Sequence, residues 1–171
     1  MADPFERPPP YQLQWGIHRR FLDYVQALPD GRCTLADGAD LTEKSEFAFA
    51  LGQFSGIPYV ANNVEIRFFG SVRFLGHAGM LYIDIDQPWL TLGEGRAQLS
   101  ITDFRLDERP RSRITLATAE VTSDEHRPGV WRGNNVALTS EGAQLFLGNY
   151  KEGEPMADFQ FAVPPLPPAL R

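Results

Sequence analysis

The chain reads as a mainly β domain: an antiparallel β-sandwich or barrel-like sheet, with an N-terminal helix and a short C-terminal helix packed on it. Three observations predict this. Apolar and polar residues alternate in stretch after stretch beyond Gly38. Short glycine-bearing turns join those stretches, as antiparallel hairpins require. One segment near the start carries apolar residues at helical spacing instead. With 171 residues, 43% of them hydrophobic and 22% charged, the chain can build one domain around one core.

Residues 1–10 hold four of the 14 prolines and read as a proline-rich leader. Residues 164–171 form a matching tail, so the folded unit is expected at 11–163. From Trp15 to Leu28 the spacing predicts a helix: Trp15, His18, Arg19, Leu22 and Val25 mark one stripe, and Ile17, Phe21, Tyr24 and Leu28 another. Pro29-Asp30-Gly31 ends it, because proline cannot continue the hydrogen-bond ladder.

Period-two patterning then takes over. Phe47, Phe49 and Leu51 alternate with polar or small neighbours. Val64, Ile66, Phe68, Val72 and Phe74 are expected on one face of a single strand. Leu81, Ile83 and Ile85 alternate against Tyr82, Asp84 and Asp86. Ala97, Leu99 and Ile101 repeat the pattern, as do Ile114, Leu116 and Thr118, and Gly93-Glu94-Gly95 reads as a hairpin turn. Thr139 or Ser140 can cap a short helix reaching Leu147, and Asp158 to Val163 reads as a last strand.

Net charge is −6, and the arginines form no dense basic block, which argues against a nucleic-acid partner. No run of about 18 apolar residues is present, so no helical membrane span is expected. Cys33 is the only cysteine, which excludes an internal disulfide and a paired-thiol metal site. The opening residues lack the basic and apolar regions of a secretory signal, and the expected location is cytoplasmic.

The stretch from Phe68 to Leu81 singles out His77, set between Gly76 and Gly79 at a bend between two strands. Those glycines allow a sharp turn that holds an imidazole at a sheet rim. By itself a histidine in such a turn is more often solvated than functional. Tyr24, on an amphipathic helix, is by itself more often a packing residue. His18 reads as a surface or packing histidine and His126 as a solvated loop histidine. Asp84-x-Asp86 lacks the glycine and glutamate that would complete a calcium loop.

Leu13-Gln14-Trp15-Gly16-Ile17 through Phe21-Leu22-Asp23-Tyr24-Val25, and Gly70-Ser71-Val72-Arg73-Phe74-Leu75-Gly76-His77-Ala78-Gly79-Met80-Leu81, together resemble the HtaA domain, a bacterial haem-binding module. Ile114-Thr115-Leu116-Ala117 and Leu138 to Ala143, followed by Asn149-Tyr150, extend the likeness over nearly the whole folded region. The resemblance implies a mainly β fold and ferric haem as cofactor. It implies Tyr24 as the iron ligand and His77 as the hydrogen-bond partner of its phenol. Arg20 stands where the family often carries serine, one helical turn before Tyr24, and can meet a haem propionate as a charged fork. Ile17, Phe21 and Phe68 or Phe74 are candidate pocket walls, and Arg67 or Arg73 are further candidates for the propionates.

A tyrosine ordinarily titrates near about pH 10. Ferric iron stabilises its phenolate, and an imidazole donating to that oxygen helps further. The leading expectation is therefore a soluble haem carrier, buffer or sensor, with haem or another planar or anionic molecule as partner and a homodimer possible. The alternative is a haem-independent small-molecule enzyme of a biosynthetic pathway, with Tyr24 and His77 as acid and base and Arg20 clamping an anion. A non-catalytic module docking through its proline-rich ends ranks last.

Overall fold

The computed structural model describes residues 10–55 and 63–164, so the leader and tail expected from the prolines lie almost wholly outside the described residues. Chain order is β1 (Gln12–Trp15), α1 (Arg19–Ala27), β2 (Arg32–Ala36), β3 (Asp40–Leu41), β4 (Phe47–Ser55), β5 (Val64–Phe69) and β6 (Ser71–Gly76). A 3₁₀ turn at His77–Gly79 leads to β7 (Leu81–Asp86), β8 (Trp89–Gly93), β9 (Arg96–Thr102), β10 (Arg113–Ser123), β11 (Val130–Leu138), α2 (Ser140–Leu145) and β12 (Phe159–Ala162).

Eight strands close into an antiparallel barrel in the order β1-β12-β11-β10-β9-β8-β5-β4. Closure comes from the last pairing, β4 with β1, in which Leu13 lies opposite Phe49 and Trp15 opposite Phe47. On its other edge β1 pairs with β12, placing Leu13 opposite Phe161 and Trp15 opposite Phe159. Closing the sheet removes the exposed strand edges that an open sheet must protect. The alternating apolar residues fill the core, with Trp15, Phe49, Phe68, Phe161, Ile66, Leu90 and Leu99 essentially inaccessible to water.

Here the structure corrects the long helix expected from Trp15. Trp15 belongs to β1, and its indole Nε1 donates to the Ala157 carbonyl at 2.8 Å. Ile17 sits at φ 64°, a left-handed conformation that a β-branched residue adopts only under constraint. The constraint is tertiary, because the Ile17 carbonyl accepts from the Ala157 N–H at 2.9 Å. The helix starts at Arg19, capped by His18, whose Nδ1 accepts from the Phe21 N–H at 3.0 Å. His18 is thus a buried cap rather than a surface residue.

The single strand expected from Val64 to Phe74 is two strands in two sheets. Gly70, at φ 134°, breaks it: a Cβ there would sit 3.0 Å from Ala39 and Phe49 atoms. Beyond it β6 pairs with β7, and β2 flanks β6, as a separate three-stranded sheet. The Gln87 N–H donates to the Gly70 carbonyl at 2.8 Å, returning the chain to the barrel at β8. The β6–β7 hairpin is therefore an excursion between two barrel strands, and its tip carries His77.

Helix α1 buries Phe21 and Val25, and Phe21 meets Phe74 of β6 edge-on at 5.1 Å between ring centroids. On its other side Phe21 meets Phe146, just past α2, at 5.2 Å. Each such pair adds about 0.5–1.5 kcal/mol beyond area burial. Thr139 caps α2 by accepting from the Gly142 N–H at 2.9 Å, while its hydroxyl donates to the Thr115 carbonyl. One aromatic seam thus joins α1, the excursion hairpin and the α2 segment.

Candidate functional site

A cavity of about 500 Å³ opens where those three pieces meet. Helix α1 supplies Phe21 and Tyr24, the turn and β7 supply His77, Met80, Leu81 and Ile83, and the segment after α2 supplies Phe146, Leu147, Asn149 and Tyr150. Its size falls within the range of small-molecule sites. The walls are largely aromatic or aliphatic. Met80 and Leu147 are 81% and 69% exposed, large apolar side chains left in water beside the opening.

The Tyr24 hydroxyl and His77 Nε2 share a hydrogen bond at this opening, across 53 residues of sequence. Their ring centroids lie 5.8 Å apart. Tyr24 is 42% exposed and lines the cavity.

The turn that aims His77 is unusual. His77, Ala78 and Gly79 are all left-handed, at φ 48°, 55° and 91°. Of the two glycines expected to make the bend, only Gly79 does so. Gly76 is fully extended, at φ −179°, and the closest atom to a Cβ placed there is a terminal methyl of Leu28 at 2.7 Å. The Asp30 carboxylate accepts from the N–H groups of His77 at 3.1 Å and Ala78 at 2.7 Å. Those bonds, Ala78's foremost, hold the Asp30 carboxyl below its ordinary range.

Arg20 does not line the cavity. Its guanidinium pairs with Glu154 and lies over the Tyr150 ring, 5.7 Å from the centroid. The same Glu154 oxygen accepts from His18 Nε2 at 2.9 Å. These two bonds, His18's first, hold the Glu154 carboxyl below its usual range. Burial pushes the Tyr150 phenol up.

Of the other expected wall residues, Phe21 lines the cavity, whereas Ile17, Phe68 and Phe74 are sealed in the core. Ile17 is turned inward by the same left-handed backbone that delays the helix. Arg67 pairs with Glu65 at 2.7 Å and stacks on Trp89, and Arg73 pairs with Asp84 at 3.2 Å. Arg113 covers the Trp89 ring at 3.7 Å, and burial lowers its guanidinium to about 10. Asp84 instead takes the Ser71 hydroxyl and Arg73, and among the described residues no group of three or more His, Cys, Asp or Glu can hold a metal ion. Nor is any described helix long and apolar enough to cross a membrane.

Sequence reasoning missed Ile83, Phe146 and Leu147 of the far wall, and Asp30 behind the turn; Met80 and Leu81 stand in it only as part of a family pattern. Asn149 and Tyr150 were marked only as part of a family pattern. A cavity wall of this kind leaves no periodic trace, since it combines side chains from unrelated elements.

A family model described as Htaa matches residues 11–162. No curated protein matches the chain. Among solved structures, the C-terminal domain of HtaA from Corynebacterium glutamicum is similar at 21% identity and a TM-score of 0.71, over 88% of this chain and 94% of that one. The N-terminal domain of the same protein is similar at 24% identity and a TM-score of 0.71, over 93% and 99%. The heme binding protein HtaB of that organism is similar at 18% identity and a TM-score of 0.63, over 88% and 90%.

Proposed function

The chain belongs to the HtaA family, and from that premise we propose that it is a haem-binding protein that holds ferric haem in the cavity between α1, the β6–β7 hairpin and the α2 segment. The observation that carries the reading is the hydrogen bond between Tyr24 and His77 at the mouth of an apolar cavity. Tyr24 is the iron ligand in this reading, and His77 donates to its phenolate oxygen and fixes the ring. When bound, ferric iron supplies the positive charge that stabilises a phenolate.

The residues present fit such a group. Phe21, Leu81, Ile83 and Phe146 offer aromatic and aliphatic walls that would hold a macrocycle, with an open side toward water. Arg20 is the proposed partner of one carboxylate. It is 71% exposed at its side chain and stands beside the cavity wall formed by Tyr150. Taking that role means leaving Glu154, which keeps its bond from His18.

Titration of the purified protein with hemin, followed by absorption, tests this reading. A ferric tyrosinate spectrum is expected, lost in Tyr24→Phe. An unchanged spectrum and affinity in Tyr24→Phe would remove Tyr24 as the ligand.

One observation favours a second reading: a cation, Arg20, stands one turn before a hydrogen-bonded phenol–imidazole pair. Those three groups suit acid–base chemistry on a small anionic molecule without haem. Protein that develops no Soret shift with hemin would favour it.

A further inference from the structure

The cavity wall ends at His77, but what aims His77 lies behind it. Left-handed backbone at two successive residues that are not glycine is disfavoured and persists only where surroundings enforce it. At His77 and Ala78 the enforcing group is visible. Their N–H groups share one acceptor group: the Asp30 carboxylate takes both, with one oxygen on each. The Met80 N–H closes the turn on the His77 carbonyl at 3.0 Å.

Asp30 is also tied to the other half of the pair. It follows the C-terminus of α1, where the Leu28 N–H bonds the Val25 carbonyl and the Gly31 N–H bonds the Leu28 carbonyl. Gly31 is confined there, since a Cβ would lie 1.9 Å from the Val25 carbonyl oxygen. One carboxylate therefore ties the end of the helix that carries Tyr24 to the turn that carries His77.

We propose that Asp30 is a positioning residue that sets the Tyr24–His77 hydrogen bond by holding the His77–Ala78 backbone left-handed against the end of α1. The proposal rests on the reading of Tyr24 and His77 as the haem-binding pair. Asp30 makes its hydrogen bonds to the turn through the backbone N–H groups of His77 and Ala78, with a smaller electrostatic interaction with His77 beside them. The depressed carboxyl of Asp30 agrees with an anion serving these two donors.

The test uses Asp30→Asn, which keeps the size but replaces one acceptor oxygen with a donor. In hemin-free protein, the ring-nitrogen NMR shifts of His77 are expected to move toward those of a free imidazole while circular dichroism stays unchanged. Ala78→Gly in the same background, which makes left-handed backbone cheap, is expected to move them part of the way back. Hemin affinity is expected to fall about tenfold, the scale of losing support behind a metal ligand. In a Tyr24→Phe background the same substitution is expected to change hemin affinity little. His77 ring signals left in place by Asp30→Asn in folded protein would overturn the proposal. Shifted His77 signals, together with Tyr24→Phe binding hemin as the parent does, would keep the positioning role and remove the haem reading instead.

Discussion

Glu154 accepts a hydrogen bond from His18 Nε2 at 2.9 Å, and the other nitrogen of the ring fixes the direction of that bond. His18 Nδ1 accepts from the Phe21 N–H, so the neutral ring carries its proton on Nε2 and gives it to the carboxylate. A single buried imidazole thus caps the Tyr24 helix and anchors the carboxylate that also holds Arg20.

Replacing His18 with alanine removes the cap and one partner of Glu154. The expected cost is about 0.5–2 kcal/mol from the cap. It would be read as a lower urea midpoint, with hemin affinity reduced less than by Tyr24→Phe. A midpoint equal to the parent's would show that the capping bond contributes nothing.

Arg20 must choose between Glu154 and a ligand carboxylate. Glu154→Gln weakens the competitor, so hemin affinity is expected to rise by up to about fivefold at low salt, the scale of a mostly exposed ion pair. Affinity for hemin dimethyl ester, which lacks the carboxylates, is expected to stay constant. An equal rise for both would remove Arg20 from carboxylate recognition.

Removing the imidazole tests the support behind the ligand. His77→Ala is expected to weaken hemin binding by about 10–100-fold, the range for lost partners of a metal-binding side chain. Fold and thermal midpoint are expected to change little, since His77 is exposed. Competition against apomyoglobin measures the affinity.

Acid should loosen the site in a defined window. Asp30 and Glu154 both have folded carboxyls below their ordinary range. A depressed carboxyl contributes its full stability above its unfolded value and loses it as pH falls through the folded one. Urea midpoints are therefore expected to be insensitive to these two groups from about pH 7 to 5 and to fall below about pH 4. In Glu154→Gln the acid-side fall should be shallower. Identical profiles would exclude that carboxylate.

Helix α2 packs so closely on the barrel that Gly142 has no room for a side chain. A Cβ there would lie 2.3 Å from the Leu116 carbonyl oxygen, a backbone atom that cannot step aside. Gly142→Ala is expected to cost about 1–3 kcal/mol by overpacking. Because Phe146 and Tyr150 follow α2 into the cavity wall, near-ultraviolet circular dichroism should change with it.

Sequence alone determined the strands whose side chains alternate between core and water, such as Ala97 to Ile101, whereas in Leu81 to Asp86 the polar Asp84 is buried against Ser71 and Arg73. Period-two patterning is a local property, and a half-buried strand imprints it on its own residues. The resemblance to a known family also marked Tyr24 and His77. Tertiary structure alone decided which local pattern would prevail where two competed. Trp15 and Ile17 carry helical spacing, yet pairing with Phe47 and Phe159 and the bonds to Ala157 draw that segment into the barrel wall. The strand through Gly70 splits at a backbone φ of 134°, where Ala39 and Phe49 leave little room for a Cβ. β11, with an irregular burial pattern, left no clean alternation to read. The partners of Arg20, the acceptor beneath the His77 turn and the contact between phenol and imidazole are all long-range. They depend on where barrel closure leaves the excursion hairpin relative to α1, which no local spacing encodes.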